Sequence, residues 1–420
     1  MSFASTYIEQ RILFPRFINE APHDKTGIIT VIPSYGEDNI VRLLESLASA
    51  ASPSCKVEVM VVVNAPGDAS SEALEKNRIT LKDIESWNLQ ENSCWFRLFS
   101  LEIKPGAIPG WGVGLARKTG MDEAVRRYHM INNPDGIILS LDADCRVETS
   151  YFSAVYDEFT NRKVRKACSI YFEHDLEGNE FPEEIYNHIT LYELHLRYYY
   201  QGLKYSGYPW VYHTVGSAMA VKAHDYVMAG GMNRKQAGED FYLIQKLITG
   251  GGYFSLNKTT VYPSPRPSFR VPFGTGAAIS RLAEGDGENW MTYSVEAFEE
   301  LRYFFSRADL FFECQENQIS RLYHDIPEGI RLFIAEDIWI SKITEIKRNT
   351  SALQSFRKRF FSWFNMFMIV RYLNTVHHGF YTKVPVDVAA SELLTKIGFK
   401  ESFSNARNLL HIYRRMEKES

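Results

Sequence analysis

The chain has 420 residues, of which 45% are hydrophobic, and its 47 Lys and Arg nearly balance its 51 Asp and Glu to give a formal charge of −4. This length allows two or three domains with a substantial core, and the charge balance argues against a protein that coats nucleic acid. A charged fraction of 23% and an aromatic fraction of 14% exclude a disordered or low-complexity chain.

Three apolar runs in the first third of the chain each end at a cluster of polar residues. They are Gly27–Pro33, Lys56–Asn64 and Gly136–Leu141, and helical patterns lie between them at about 38–50 and 113–129. Continuous β-branched runs are typical of strands that are buried on both faces of a parallel sheet. The pattern therefore predicts an α/β fold with a mostly parallel sheet flanked by helices, and ligand chemistry at the carboxyl ends of the strands.

The second half of the chain has a different pattern of apolar and charged residues. Beyond about residue 277 the sequence is rich in long, charged, apolar-periodic stretches, which predict helices at Val295–Phe305, Glu328–Arg348, Ser355–Leu373, Ala389–Ile397 and Ala406–Met416. A glycine-rich stretch at 274–287 precedes them. We predict an N-terminal extension over 1–24, an α/β domain over 25–276 and a mainly α-helical domain over 277–420.

The five cysteines are scattered and never occur as CxxC, which predicts reduced, mostly buried thiols rather than a disulfide framework or a zinc ribbon. The first residues show no apolar segment typical of a secretion signal. The longest apolar-rich stretch, 360–370, is shorter than the roughly 20 residues that a membrane-spanning helix needs. These features predict a cytoplasmic protein.

Two carboxylates follow the third apolar run directly. Asp142 and Asp144 lie two positions apart where the predicted strand gives way to a loop. Such a pair can reach one hard divalent cation, Mg²⁺ or Mn²⁺, which takes oxygen ligands and keeps positions for substrate phosphates. Two acidic turn residues with local hydrogen bonds are the alternative interpretation.

A second acidic pair, Glu239 and Asp240, precedes a stretch with helical apolar spacing, and is therefore predicted to lie at a helix N-terminus. Acidic residues there stabilise the helix dipole by about 0.3–1 kcal/mol, which is a sufficient structural reason for them. A carboxylate held in a cleft can alternatively act as a general base toward a hydroxyl group.

Six segments within the first 265 residues occur in an order and spacing that resemble family-2 glycosyltransferases. They are ITVIPSYGEDN (29–39), VEVMVVVNAP (57–66), GVGLARKTGMDEA (112–124), LSLDADC (139–145), TVGSAMAV (214–221) and AGGMNRKQAGEDFYL (229–243). The resemblance covers about residues 25–265. It implies a GT-A fold and an inverting transfer of a sugar from a nucleotide-diphosphate donor to an acceptor hydroxyl.

The resemblance also implies roles for individual residues. Asp142 and Asp144 match the motif that binds a divalent cation, Mn²⁺ or Mg²⁺, and the donor diphosphate, with Asp144 as the more direct metal ligand. Asp240 matches the catalytic base, and Glu239 a neighbour that orients the acceptor. The remaining donor-binding positions that it implies are Pro33, Ser34, Tyr35, Glu37, Asn64 and Arg117.

Two of these donor positions have a further feature. Asn64 stands where the family commonly presents an aspartate to the nucleotide base, so the identity of the base stays open. Arg117 is either close to the base or phosphates or an ordinary helix arginine. Arg266 and Arg270, in the proline-framed stretch 262–276, are further candidates for gripping the diphosphate, because guanidinium groups match phosphate geometry.

The segment Tyr192–His213 is rich in Tyr and Trp, which stack on sugar rings, so it is either an acceptor platform or part of an aromatic core. Trp210 and Tyr212 are the better acceptor-binding candidates because they precede TVGSAMAV. The basic, aromatic tract 357–374 is either a buried helix or a peripheral contact with the inner face of an anionic membrane, which would suit a lipid-linked acceptor.

We consider three functions for this chain. The first is a metal-dependent glycosyltransferase in the biosynthesis of a glycan or cell-envelope polysaccharide. The second is a non-catalytic scaffold that binds a nucleotide sugar or glycan. A nucleotidylyltransferase is disfavoured, because the expected Gly-rich, basic loop after the first strand is replaced by SYGEDN.

Overall fold

The computed structural model describes residues 2–90, 94–106, 111–233, 238–268, 274–285, 290–400 and 405–420. The chain divides into two compact units. Unit 1 comprises Met1–Phe181, Tyr212–Ser280 and Glu417–Ser420, and unit 2 comprises Pro182–Val211 and Arg281–Met416.

The strands, in chain order, are β1 (Thr26–Ser34), β2 (Lys56–Asn64), β3 (Arg97–Ile103), β4 (Ile137–Ser140), β5 (Arg146–Val147), β6 (Ala167–Phe172), β7 (Met219–Lys222), β8 (Tyr253–Tyr262), β9 (Met291–Thr292) and β10 (Val384–Pro385). The helices through residue 284 are α1 (Ser5–Arg11), α2 (Val41–Ser49), α3 (Ser71–Gln90), α4 (Val113–Met130), α5 (Tyr151–Asn161), α6 (Glu183–Tyr205), α7 (Ala223–Met228), α8 (Glu239–Thr249) and α9 (Thr275–Glu284). The later helices are α10 (Val295–Ser306), α11 (Ala308–Glu313), α12 (Ile319–His324), α13 (Glu328–Phe333), α14 (Glu336–Arg348), α15 (Leu353–Trp363), α16 (Met366–Val376), α17 (Val386–Lys396) and α18 (Ala406–Lys418), with one 3₁₀ turn at Glu316–Gln318.

Unit 1 is built on an eight-stranded sheet of order β3-β2-β1-β4-β7-β6-β8-β5. Strands β3, β2, β1 and β4 are parallel, β7 is antiparallel to both of its neighbours, and β6 pairs with β8 in parallel. The chain runs from β1 through β2 to β3 on one side and then returns to the other side of β1 with β4. The carboxyl ends of β1 and β4 thus flank a topological switch point, where α/β sheets bind ligands.

Helix α4 packs against β1 and β2, and a glycine permits the close approach. A Cβ atom on Gly120 would lie 2.4 Å from Val31 Cγ1 and 2.9 Å from Val62 Cγ2, so a larger residue would push the helix off the sheet. Both strands are apolar and buried along almost their whole length. This contact fixes α4, and with it the polar side chains that α4 carries.

Unit 2 is mainly helical and has an aromatic core. Phe304 contacts Trp339, Phe311, Phe360 and Phe364 at ring-centroid distances of 5.1–5.9 Å. Edge-to-face and tilted contacts of this kind add to the stabilisation from burial of apolar area.

The predicted fold class is confirmed: the structure has a mixed α/β sheet flanked by helices and a mainly helical C-terminal part, consistent with a GT-A fold. The runs predicted as strands match β1, β2 and β4 to within about two residues. The prediction of one helix over Glu328–Arg348 is wrong, because Ile334 is extended and separates α13 from α14. The prediction of one helix over Ser355–Leu373 is also wrong, because two helices, Leu353–Trp363 and Met366–Val376, occupy this stretch.

That tract forms α15 and α16. The side chain of Asn365 accepts hydrogen bonds from the backbone N–H groups of Phe367 and Met368 and thereby caps the start of the second helix. The tract's Phe360, Phe361 and Phe364 side chains are buried within unit 2, which agrees with the interpretation as a buried helix. Among the described residues, no helix is long and apolar enough to cross a membrane.

Candidate functional site

The polar residues that follow β1, β2 and β4 meet at the switch point of the unit 1 sheet. Ser34 ends β1, Asn64 ends β2, and Asp142 follows β4. The parallel pairing of β1 with β2 and β4 brings all three strand ends to the same edge. Helices α4 and α8 supply further charged groups at this edge.

Arg117 on α4 links the two acidic pairs that the sequence places about 100 residues apart. It is 4% exposed. Its Nη2 donates to Asp142 Oδ1 at 2.5 Å, and its Nη1 donates to Glu239 Oε1. The side chain of Glu239 is 1% exposed, whereas that of Asp142 is 36% exposed. One buried guanidinium therefore joins the carboxylate after β4 to the carboxylate that opens α8.

The charges of these groups depend on one another. Burial opposes the charge of Arg117, but the carboxylates of Asp142, Glu239 and Asp240 outweigh it and raise the pKa of the guanidinium. Burial raises the pKa of Glu239 above its ordinary value, although Arg117 pulls it down. Arg117 thus supplies the charge that keeps a buried carboxyl near the site ionisable.

Asp240 belongs to the same site, because its carboxylate and the Arg117 guanidinium both lie close to the backbone of Gly216. A Cβ atom on Gly216 would lie 2.3 Å from Arg117 Nη1 and 2.7 Å from Asp240 Oδ2. Asp240 Oδ1 also accepts from the backbone N–H of Phe241 at 2.7 Å, in the first turn of α8. Gly216 lies within the segment TVGSAMAV (214–221). The close approach of Arg117 and Asp240 to its backbone explains why a residue without a side chain stands there.

A second arginine, Arg266, is ion-paired with the carboxylates that follow β1 and with Asp144. Its Nη2 lies 2.7 Å from Glu37 Oε2 and 3.5 Å from Asp144 Oδ2, and its Nη1 lies 3.2 Å from Asp38 Oδ2. Lys76 Nζ lies 2.8 Å from Asp38 Oδ1, and this hydrogen bond lowers the pKa of Asp38. Burial opposes the charge of Arg266, but Glu37 and Asp144 raise its pKa.

A buried asparagine on α3 ties the ends of β1 and β2 together. Asn77 Oδ1 accepts from the Gly36 N–H at 2.8 Å, and Asn77 Nδ2 donates to the Asn64 carbonyl at 3.1 Å. Asn64 Nδ2 in turn donates to the carbonyl of Gly112 at 3.0 Å, where α4 begins with a φ of +122°. Sequence reasoning missed Asn77, although its helical spacing with the buried Thr80 and Ile84 marks it as an inward-facing residue.

Two aromatic side chains flank the same strand end. The rings of Tyr35 and Trp111 pack edge to face with centroids 5.0 Å apart, and both are half-buried. Next to them, Pro33 and Ser34 are buried, and within the described part of the chain the Ser34 hydroxyl has no hydrogen-bond partner.

The predicted acceptor residues lie in different units. Tyr212 belongs to unit 1, where its hydroxyl donates to the Tyr253 carbonyl at 3.1 Å. Trp210 belongs to unit 2 and packs against Tyr208 and Phe361. Arg270 lies outside the described residues.

The residues after β4 fit a hard divalent cation. Asp142 and Asp144 offer carboxylate oxygens, and their side chains are 36% and 33% exposed, so an ion from solvent can reach them. Over the described ranges, no group of three or more His, Cys, Asp or Glu side chains forms a complete ligand set. The remaining positions of an ion here would go to water and substrate oxygens, as is usual for Mg²⁺.

No family model and no curated protein matches the chain. Among solved structures, the chain is similar to S. aureus TarS 1–349 in complex with UDP-GlcNAc, at 15% identity and a TM-score of 0.41, over 80% of this chain and 91% of that one. It is also similar to the mannosyltransferase PcManGT from Pyrobaculum calidifontis in complex with GDP-Man and Mn²⁺, at 13% identity and a TM-score of 0.38, over 99% of this chain and 92% of that one. Likeness at this level does not establish a family or a function.

Proposed function

We propose that this chain is a metal-dependent glycosyltransferase that moves a sugar from a nucleotide-diphosphate donor to an acceptor hydroxyl. The observation that carries the proposal is the bridge made by Arg117, which joins Asp142 after β4 to Glu239 at the start of α8. A donor-binding pair and a candidate base are thereby held at one switch point. The resemblance to family-2 enzymes names the same residues.

The charge of the site supports a role for a divalent cation. Six carboxylates belong to this site: Glu37, Asp38, Asp142, Asp144, Glu239 and Asp240. Among the described residues, three cations pair with them: Lys76, Arg117 and Arg266. Over the described ranges, carboxylates therefore outnumber these cations, and a divalent cation would reduce the repulsion between the carboxylates and a diphosphate. Held by Asp142 and Asp144, a Mg²⁺ or Mn²⁺ ion would neutralise the charge that develops on the leaving diphosphate.

The residues of the chain perform the remaining tasks. The Asp240 carboxylate takes the proton of the acceptor hydroxyl as that oxygen attacks the anomeric carbon. A base on the opposite side of the sugar from the leaving diphosphate gives inversion of configuration. Glu239 and Arg117 position α8 and Asp142. Arg266, which already lies beside Asp144, grips the phosphates, and Arg270 is a further candidate for this role.

Other residues bind the nucleoside and the acceptor. Pro33, Ser34, Tyr35 and Asn64 line the nucleoside side at the ends of β1 and β2, and Glu37 extends it. Trp210 and Tyr212 stay the proposed acceptor contacts, since their rings suit sugar stacking. The acceptor is a glycan or a lipid-linked sugar, and the setting is the cytoplasm or the inner face of a membrane.

Donor binding is tested by thermal unfolding of the full chain with UDP, GDP, CDP or dTDP in the presence of Mn²⁺, Mg²⁺ or EDTA. At a ligand concentration 100 times the Kd, binding should stabilise the protein by about 2.7 kcal/mol. We expect a shift with one nucleotide that needs the metal. Absence of a shift with all four would contradict the proposal and favour a scaffold that binds a different ligand.

The matched variants are Asp144→Asn and Asp135→Asn. Asp144→Asn removes a charge beside Arg266 and should abolish the metal-dependent shift. Asp135 is an exposed partner of Lys222 and lies outside the site, so Asp135→Asn should preserve the shift. If both variants respond like the wild type, Asp144 is not a metal ligand.

A further inference from the structure

The N-terminal segment before β1 is bound along α4 by a series of polar contacts. Arg127 Nη1 donates to the Glu20 carbonyl at 2.8 Å, the Ile18 N–H donates to Glu123 Oε1 at 3.3 Å, and Arg126 donates to the Phe14 carbonyl. Charged residues of α4 thus hold this segment in addition to their ion pairs with Glu58 and with one another. It is part of unit 1 and not a loose extension.

The most buried of these contacts is a four-residue group, the Asp122 cluster: Tyr7, Lys118, Asp122 and Tyr226. Asp122 Oδ1 accepts from the Tyr7 hydroxyl at 2.8 Å and from the Tyr226 hydroxyl at 3.1 Å. Lys118 Nζ donates to Asp122 Oδ2 at 2.8 Å and lies 3.4 Å from the Tyr7 oxygen. All four side chains are buried, so the cluster fixes α1, α4 and α7 to one another.

The cluster and the candidate site share helix α4, which carries Arg117, Lys118 and Asp122. Lys118 follows Arg117 on α4, so a shift of the helix that moves one side chain moves the other. The Tyr226 hydroxyl also accepts from the Met232 N–H at 3.1 Å, in the segment that precedes Glu239 and α8. A Cβ atom on Gly231 would lie 1.8 Å from the Tyr7 oxygen, so Tyr7 packs directly against that backbone.

Stability alone is a weak reason for such a cluster. A buried ion pair loses its hydration, and apolar side chains of the same volume often stabilise a core equally well. A fully hydrogen-bonded polar group does, however, permit one geometry and excludes others that apolar packing would tolerate. The parts of the structure that it fixes are α4, which carries Arg117, and the backbone at Met232.

We infer that Tyr7 of the N-terminal helix is a positioning residue for the proposed transfer, acting through Asp122 and α4 on Arg117, which pairs with Glu239 at the start of α8. This inference rests on the proposed function. It predicts that removing the Tyr7 hydroxyl lowers turnover more than it weakens donor binding, since neither Asp142 nor Asp144 contributes to the cluster.

The test compares Tyr7→Phe with Tyr128→Phe in the full chain. Tyr128 is also buried and lies on α4, and its hydroxyl donates to the Ile137 carbonyl at 2.8 Å, so its loss is a matched control for stability. Tyr7→Phe should lower kcat by about two- to thirty-fold with little change in KM for the donor. Tyr128→Phe should lower the Tm to a similar extent and leave kcat unchanged. Equal kcat in the two variants would overturn the inference.

A double-mutant cycle with Arg117→Lys tests whether Tyr7 acts through Arg117. If Tyr7 acts through Arg117, Tyr7→Phe should reduce kcat much less in the Arg117→Lys background than in the wild type. Fully additive effects would contradict this route. Tyr226→Phe serves as a second variant, and should lower kcat like Tyr7→Phe if Tyr7→Phe folds too poorly to be assayed.

Hydrogen exchange separates this inference from the proposed function. If the wild type shows no transfer with any donor, the proposed function fails, but the positioning can still be measured. Tyr7→Phe should then speed amide exchange at residues 242–246 of α8 at least tenfold, whereas Tyr128→Phe should not. Unchanged exchange in α8 would refute the positioning role itself, whatever the chain transfers.

Discussion

Replacing Arg117 by methionine should destabilise unit 1 by an amount that depends on pH. The replacement keeps an unbranched apolar stem but removes the guanidinium and its charge between Asp142 and Glu239. Asp142 is partly exposed and can regain water. Glu239 is 1% exposed and cannot, so the loss of its partner carries most of the effect. Removing one partner of a buried ion pair typically costs about 3–5 kcal/mol.

Protonation of Glu239 limits this cost. In the folded wild type burial already raises its pKa above the ordinary 4.5, and without Arg117 the pKa rises further. A carboxyl with a raised folded pKa loses stability as pH increases from the unfolded pKa toward the folded one. At about 1.36 kcal/mol for each pH unit above 4.5, the penalty is bounded at about 3 kcal/mol at pH 7 and about 1 kcal/mol at pH 5.

The assay is native-state hydrogen exchange of α4 and β1 at pH 5, 7 and 8, which measures the free energy of opening of unit 1. Arg117→Met should lose more stability at pH 8 than at pH 5, and adding Glu239→Gln should recover most of the loss at pH 8. The control, Arg78→Met, removes an exposed arginine paired with Glu75 and should change nothing. A loss that is equal at all pH values, or is not recovered by Glu239→Gln, would refute the reasoning.

Two further predictions concern the glycine beside Asp240 and the tract 357–374. Gly216→Ala places a methyl group within 2.7 Å of both Arg117 and Asp240 and should lower transfer at least tenfold; the control is Gly67→Ala, whose added Cβ would meet its nearest atom at 3.9 Å. Equal activity of the two variants would contradict the close approach. Because Phe360, Phe361 and Phe364 are buried, any binding of this tract to anionic vesicles should rest on the exposed Lys358 and Arg359 and should be lost in high salt. Co-sedimentation that persists in high salt would contradict that burial.

The sequence predicts those parts of the fold that leave a local pattern. The buried runs at β1, β2 and β4 are continuous and β-branched, and the acidic pair at 239–240 precedes a helical apolar period, so these elements were predicted nearly in place. The short antiparallel strand β7 has four residues and the same apolar composition as a buried helix turn, and it was not predicted as a strand. Its direction depends on pairing with β4 and β6, which no local pattern reveals.

The sequence alone does not reveal which residues that are distant along the chain form ion pairs. That Arg117 is ion-paired with both Asp142 and Glu239 follows from how α4 packs on β1, and this depends on Gly120. The charged residues of α4 suggest an exposed helix, whereas almost all of that helix is buried. The helix packs on β1 and β2, residues 7–20 form hydrogen bonds with several of its charged side chains, and Glu58, Asp142 and Glu239 pair with others. No local pattern reveals this long-range arrangement.

The most direct test of the central claim is transfer by Asp240→Asn. A donor sugar labelled at the anomeric carbon is supplied with the nucleotide and metal identified by thermal unfolding, and the configuration of the product is read by NMR in the wild type. We expect an inverted product from the wild type, and for Asp240→Asn an unchanged Kd for the nucleotide with turnover lowered by at least 1,000-fold. Turnover near that of the wild type, or a product of retained configuration, would contradict the account.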